Sequence, residues 1–249
     1  MKTPRKKAPA RPKRPADDEA TDLSPTTGPP VTLVVGTDTS VGKTYVTCAL
    51  ARALVAAGQR VVAIKAVETG TVGEPGDHED GVLLARATGQ AEPRAALVRL
   101  RTPIGAAMAA DVDGVRIDVH ELTDRIRALS TGVDQVLVEL VGGLLSPFTW
   151  EDDALDFAHL LDARAVVVGA DRLGTINHIL LTLQALKTER IPVVGVVLSA
   201  PKQPDATTGT NADAIRRLSG LDAVMTVPHL TNPAQAAEAV KEVAGWLLD

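Results

Sequence analysis

The sequence predicts a single α/β domain built on a parallel sheet with helices on both faces, and three observations carry that prediction. Short aliphatic runs alternate with stretches of helical periodicity across residues 31–249, the pattern of βαβ units and hence of parallel strands. Aromatic residues make up 2% of the 249-residue chain against an apolar share of 45%. Val, Leu, Ile and Ala must therefore build the core, as strands buried on both faces require. Lastly, a glycine-bounded loop ending in Gly-Lys-Thr stands between the first aliphatic run and the first helical stretch.

Taken in order, residues 1–30 mix Lys, Arg, Pro and acids without apolar periodicity and close on Gly28-Pro29-Pro30. They read as a disordered basic, Pro-rich N-terminal arm outside the core. Residues 31–35 form a strand, and residues 42–57 a helix with Ala49, Leu50, Ala53 and Leu54 on one face. A strand over 61–64 follows, then a helix over 80–87 and a short aliphatic run at 97–100. Residues 119–129 form a helix with Leu122, Ile126 and Leu129 inward, and 135–140 a strand. A helix over 153–161, a strand over 165–169, a helix over 174–187 and a strand over 193–198 continue the alternation. Helices over 211–218 and 234–248 complete it. Ligands of such sheets bind beyond the carboxyl ends of the strands, so the loops after Val35, Ile64, Val138 and Val168 matter most.

Composition narrows the function. The formal charge is −5, but residues 1–30 hold seven basic against four acidic groups. The remainder, with 19 basic and 27 acidic residues, carries −8. So acidic a body is a poor general nucleic-acid binder, and so few aromatics leave no platform for stacking bases. Cys48 is the only cysteine, so no internal disulfide forms and a reducing compartment is expected. No run reaches the length of a membrane span, and no apolar segment follows the N-terminal charges. The expected location is the cytoplasm.

The stretch Gly36-Thr37-Asp38-Thr39-Ser40-Val41-Gly42-Lys43-Thr44 carries the strongest chemistry. Its glycines let backbone N–H groups converge on one hollow, and the following helix adds the positive end of its dipole. Lys43 supplies an ammonium for the β- and γ-phosphates, and Thr44 a hydroxyl for Mg²⁺. The loop is a P-loop with five residues between its glycines in place of the usual four, and it makes the fold class that of P-loop NTPases.

Lys65 ends the strand over 61–64, on the edge of the phosphate site, where phosphoryl transfer needs charge stabilisation. Glu139 lies in the aliphatic strand over 135–140, and a buried acid there needs a partner or a cation. Mg²⁺ takes such carboxylates together with phosphate oxygens, so Glu139 is a candidate metal ligand. By chemistry alone Asp77-His78-Glu79-Asp80 is open: loop acids are commonly solvated, and Asp80 can cap the helix that follows. The five histidines are scattered and share no ligand spacing.

With these residues in place, the chain resembles the dethiobiotin synthetase family. Gly36 to Thr44 is similar to that family's own stretched P-loop, and Lys65-Ala66-Val67-Glu68-Thr69-Gly70 to its K-P-V-x-[ST]-G segment. Glu79-Asp80-Gly81-Val82-Leu83-Leu84 resembles its D-A-x-x-L stretch, and Val138-Glu139-Leu140-Val141-Gly142-Gly143 its V-E-G-A-G-G. Gly169-Ala170-Asp171-Arg172-Leu173-Gly174-Thr175-Ile176-Asn177-His178 resembles its G-x-x-L-G-x-I-N-H loop, here one residue longer.

The resemblance implies a homodimer with active sites at the subunit interface. In it 7,8-diaminononanoate is carbamated by CO₂ or bicarbonate, ATP phosphorylates the carbamate, and the second amine closes the ring. It makes Lys43 and Lys65 the catalytic lysines, with Lys65 also near the carbamate. It assigns Thr44, Asp80 and Glu139 to Mg²⁺, and Thr39 and Thr69 to hydrogen bonds with phosphate or substrate. Gly174, Thr175, Ile176 and Asn177 would receive the substrate carboxylate of the partner subunit, as a helix N-terminus can.

Three segments depart from the family pattern. Leu140 and Val141 replace Gly-Ala after the acid; Pro103 to Met108 lacks the second Pro and the His of P-x-[AS]-P-H; and Leu198-Ser199-Ala200-Pro201 lacks the adenine-reading Asn-Asp. They motivate an alternative, a degenerate, non-biosynthetic nucleotide-binding regulatory protein of the same fold. Thr37 and Asp38 stand where partition and division-site ATPases carry an additional lysine, which weighs against that subgroup. A small-metabolite P-loop kinase is a third possibility.

Overall fold

A computed structural model describes residues 28–248. The arm expected over residues 1–30 falls, up to residue 27, outside the described residues. In chain order the elements are β1 (Val31–Gly36), α1 (Lys43–Ala56), β2 (Val61–Lys65), β3 (Val67–Thr69), α2 (Asp80–Thr88) and β4 (Val98–Leu100). They continue as α3 (Ala106–Asp113), α4 (Val119–Leu129), β5 (Gln135–Gly143), α5 (Ala154–Leu161), β6 (Arg164–Ala170) and α6 (Thr175–Thr188). The chain closes with β7 (Val193–Ser199), α7 (Asn211–Ser219), β8 (Val224–Val227), α8 (Pro233–Ala239) and α9 (Lys241–Trp246).

The main sheet has six parallel strands in the order β2-β5-β1-β6-β7-β8, and a second parallel pair, β3-β4, stands apart from it. Strand side chains alternate between two apolar layers. Leu33, Val35, Val62, Ile64, Val136 and Val138 join the layer under α3 to α7. Val34, Ala63, Leu137, Val166, Val168 and Val197 join the layer under α1, α2, α8 and α9. Helices thus cover both faces, as the unbroken aliphatic runs predict. No helix among the described residues is long and apolar enough to cross a membrane.

Edges are handled by side chains rather than by further strands. Gln90 accepts from the Ala63 N–H at 2.8 Å and donates to the Ala63 carbonyl at 3.1 Å. It satisfies an outward-facing peptide of edge strand β2, which would otherwise be a template for pairing. Gly195 in β7 makes room for Trp246 of α9: a Cβ there would stand 2.5 Å from the indole ring.

The structure differs from the sequence reading at several elements. β3, α3 and β8 were not foreseen. β3 is three residues long, α3 hides in an Ala-rich stretch with little amphipathic contrast, and β8 is four residues interrupted by polar Thr226. The final helix is two, broken at Val240. Gly42 and Gly174 precede their helices as N-caps with φ of 99° and 93°, a left-handed conformation that favours glycine.

Replacing Gly195 by Ala drives a methyl group into the Trp246 ring. Overpacking of this kind costs about 1–3 kcal/mol, and urea denaturation followed by tryptophan fluorescence will show a lower midpoint and an unfolding free energy reduced by that amount.

Candidate active site

The loop from Gly36 to Lys43 curls at the carboxyl end of β1. Gly36 admits the lysine side chain itself: a Cβ there would stand 2.7 Å from Lys43 Nζ and 2.8 Å from the Asp38 carbonyl. The buried Lys43 ammonium donates to the carbonyls of Asp38 and Gly142, both at 2.8 Å. Burial, helped by the nearby charge of Lys65, lowers its pKa to about 8. Ser40 adopts a positive φ of 58° at the tip of the loop, and the Thr39 N–H donates to Asp38 Oδ1 at 2.7 Å.

Beside the loop lies a cluster of charges on three elements. Lys65 and Glu139 are register partners on the adjacent strands β2 and β5, and Lys65 Nζ stands 2.6 Å from Glu139 Oε1. The same ammonium is 2.7 Å from Asp80 Oδ2 at the start of α2. Burial opposes the charge of Lys65, but Glu139 and Asp80 outweigh it and hold its pKa above the ordinary lysine value. Thr44 Oγ1 donates to Glu139 Oε1 at 2.8 Å. Glu139 is fully buried, and its Oε2 has no hydrogen-bond partner among the described residues. A buried oxygen left so is costly, and an oxygen-seeking cation reaching Thr44, Asp80 and Glu139 would satisfy it. The donor set therefore fits Mg²⁺.

The sequence-predicted residues are thus largely brought together. Gly36 to Thr44, Lys65, Asp80 and Glu139 converge at one sheet edge. Asp80 does not cap its helix; it is the first helical residue, with Glu79 in the cap position and its own side chain on Lys65. Thr175 opens α6, shares a recess with Thr37, Asp38, Val41, Arg172 and His178, and has a buried hydroxyl without a partner among the described residues. Gly174 caps that helix, and Ile176 and Asn177 fill its first turn. Thr69 ends β3, half-buried, without a side-chain contact that ties it to the loop. Leu140 and Val141 continue β5, with Leu140 buried and Val141 packed against the α3–α7 layer. Their bulk lies in the core, and the backbone past them still presents the Gly142 carbonyl. Ser199 ends β7 packed on the P-loop glycine, where a Cβ on Gly42 would come 2.5 Å from its Oγ. Cys48 is buried, and burial together with the charge of Glu139 pushes its thiol up to about 12, leaving it inert as a nucleophile.

Two residues that hold the start of α2, Glu68 and Arg99, were given no role of their own by the sequence reading. Glu68 on β3 accepts from the backbone N–H groups of Asp80 at 2.6 Å and Gly81 at 3.0 Å. Arg99 on β4 donates to both oxygens of Glu79, at 2.8 and 2.7 Å. Their partners lie 12 and 20 positions away in sequence, beyond any local spacing rule.

Comparisons with known proteins agree on the architecture and narrow the family. A family model described as an AAA domain matches residues 31–236. The ATP-dependent dethiobiotin synthetase BioD of Anaeromyxobacter dehalogenans (strain 2CP-C) is 37% identical over 214 residues, covering 84% of this chain and 95% of its own. The protein of the same name from Rhodococcus jostii (strain RHA1) is 39% identical over 202 residues, covering 80% and 86%. Among solved structures, the Pyrococcus furiosus cell division ATPase MinD aligns with a TM-score of 0.55 at 18% identity, covering 89% of this chain and 98% of its own. The Aquifex aeolicus MinC:MinD cell division complex aligns at 0.54 and 14% identity, covering 88% and 96%. Identities this low establish the P-loop NTPase fold and nothing about activity.

The Lys43 pKa, lowered to about 8, gives a measurable consequence. Between about pH 8 and the unfolded lysine value the native protein binds fewer protons at this site than the unfolded chain, so this group's contribution to stability rises with pH there. A phosphate placed against the ammonium restores its charge. Nucleotide binding at pH 8 will therefore take up about half a proton, and affinity will fall as pH rises from 8 to 10. Calorimetry in two buffers of different ionisation heat reads the uptake, and Lys43→Arg will abolish it.

Proposed function

The chain belongs to the ATP-dependent dethiobiotin synthetase family, and from that premise we propose that it converts 7,8-diaminononanoate, CO₂ and ATP to dethiobiotin, ADP and phosphate. The observation that carries the reading is the meeting of the Gly36–Thr44 loop with Lys65, Asp80 and Glu139 at one edge of the sheet. Phosphoryl transfer asks a protein for little beyond such positioned charge.

One amine of the substrate attacks CO₂ and loses a proton, giving a carbamate. A carbamate oxygen then attacks the γ-phosphorus of ATP, the bond to the β-phosphate oxygen breaks, and ADP departs. The second amine attacks the carbonyl carbon of the resulting carbamic–phosphoric anhydride, phosphate leaves with the bonding electrons, and the ureido ring closes. In this reading the loop amides and Lys43 cradle the phosphates, as P-loops do. Lys65 lies beside both the transferring phosphate and the carbamate, where its fixed positive charge favours the more anionic transition state. Its raised pKa keeps it from acting as the base for the carbamating amine.

Thr44, Asp80 and Glu139 would hold Mg²⁺, which when bound neutralises charge on the β- and γ-phosphates. Thr39 and Thr69 hydrogen-bond phosphate or substrate. The diaminononanoate carboxylate is received at the N-terminus of α6, by Gly174, Thr175, Ile176 and Asn177 of the partner subunit in a homodimer. The Thr175 hydroxyl, without a hydrogen-bond partner among the described residues, and the dipole of a 14-residue helix support that role.

Purified protein given diaminononanoate, labelled bicarbonate, ATP and Mg²⁺ will incorporate label into dethiobiotin; ATP hydrolysis indifferent to the diamine would refute the reading. Lys43→Ala will remove turnover. Lys65→Ala will leave nucleotide affinity near its original value but slow single-turnover chemistry by about 100-fold or more. A fully active Lys43→Ala protein is incompatible with the proposal.

A further inference from the structure

The start of α2 is held by a neighbouring element rather than by its own cap. Glu79 occupies the N-cap position but makes no side-chain cap bond, because its carboxylate is spent on Arg99 and on the Gly76 N–H at 3.1 Å. Capping comes from Glu68, 12 residues earlier on β3. Its Oε1 takes the Asp80 N–H at 2.6 Å and its Oε2 the Gly81 N–H at 3.0 Å. Glu68 is only 8% exposed, so these charge-assisted bonds at the positive end of the helix are shielded from solvent. The register partner of Glu68 on β4 is Arg99, which grips Glu79. The two-stranded sheet therefore holds residues 79, 80 and 81 together.

Gly81 closes the third side. A Cβ there would fall 2.2 Å from the Ala96 backbone nitrogen, so α2 begins in direct contact with the chain leading into β4. What this grip fixes is the direction of the Asp80 side chain, which leaves the pinned backbone for Lys65.

We propose that Glu68 is a positioning residue for the metal site: by capping α2 from β3 it holds Asp80 on the Lys65–Glu139 cluster and thereby sets Mg²⁺ affinity. The inference rests on the reading of Asp80 as a magnesium ligand. Without Glu68, two buried N–H groups lose their acceptor, the first turn of α2 relaxes, and Asp80 leaves its direction. Loss of an outer residue that orients a metal ligand costs about 10- to 100-fold in metal affinity. Phosphate contacts made by the P-loop alone do not involve Asp80 and are unaffected.

Calorimetric titration of ATP at a series of Mg²⁺ concentrations, without diamine, reads this directly. Glu68→Ala is expected to need about 10-fold more Mg²⁺ than the unaltered protein to reach half of the magnesium-dependent gain in ATP affinity, with metal-free ATP affinity unchanged. Glu68→Gln keeps the volume and one acceptor oxygen, and is expected to shift less. If Glu68→Ala does not fold, as judged by near-ultraviolet circular dichroism, Glu68→Gln decides the matter alone. An unshifted magnesium dependence in the folded variants overturns the proposal. So does an equal loss of metal-free and metal-bound affinity with a lowered Tm, the mark of a merely structural role, and so does unaltered protein whose ATP affinity ignores Mg²⁺. Unaltered protein that binds Mg²⁺ and ATP together but never consumes the diamine sinks the synthetase reading and leaves this inference standing.

Discussion

Glu139 is a fully buried carboxylate in the middle of interior strand β5, and it is tolerable there because Lys65 lies 2.6 Å away and the Thr44 hydroxyl donates to it at 2.8 Å. Removing Lys65 would strand Glu139 without a countercharge, whereas Lys65 would keep Asp80 if Glu139 were lost; breaking a buried pair costs several kcal/mol even where the pair itself contributes little. Their contact depends on β2 and β5 being neighbours in parallel register, Lys65 opposite Glu139. Strand adjacency in turn depends on the chain crossing from β1 over α1 to the sheet edge and returning between them. The site is thus a direct consequence of strand order.

That order is made possible by a core with almost no aromatic residues. Small and branched aliphatic side chains on alternate positions of each strand fill two layers at once, and helices approach closely over them. Where a larger group enters, a glycine concedes the space: Trp246 lies against Gly195. Rigid strands then deliver Gly36, Lys65 and Glu139 to one edge with no freedom of their own, and pre-organised charge of this kind does not have to rearrange during reaction.

Most of this was legible in the sequence, and the remainder was hidden for identifiable reasons. Residues 31–35 and 135–140 read as buried strands because both their faces are apolar, and the Gly-Lys-Thr after the first pointed to a phosphate. Lys65 and Glu139 could be singled out because a charge at the end of an aliphatic run needs an explanation. Glu68 received no role from the sequence, because its partners are backbone N–H groups of a helix that begins 12 positions later. Asp80 was ambiguous for the same reason: without Glu68, capping its own helix was as good a role as any. α3 escaped because alanines pack on either side of a helix and leave no stripe. β3 and β8 are too short for alternation to register.

The contacts in the free protein also say what a nucleotide must exchange. Lys43 holds two backbone carbonyls, of Asp38 and Gly142, and Thr44 holds Glu139; a phosphate would have to displace the carbonyls from the lysine, and a metal ion would take the threonine hydroxyl oxygen as a ligand. A phosphate that replaced these neutral carbonyls would meet an ammonium whose hold on its proton burial has weakened. The Gly142 carbonyl takes part through backbone alone, in a left-handed conformation at φ 68°. The bulky pair before it stays clear of that contact: Leu140 is buried and Val141, half-buried, packs against the core, and the residue whose carbonyl meets Lys43 is a glycine.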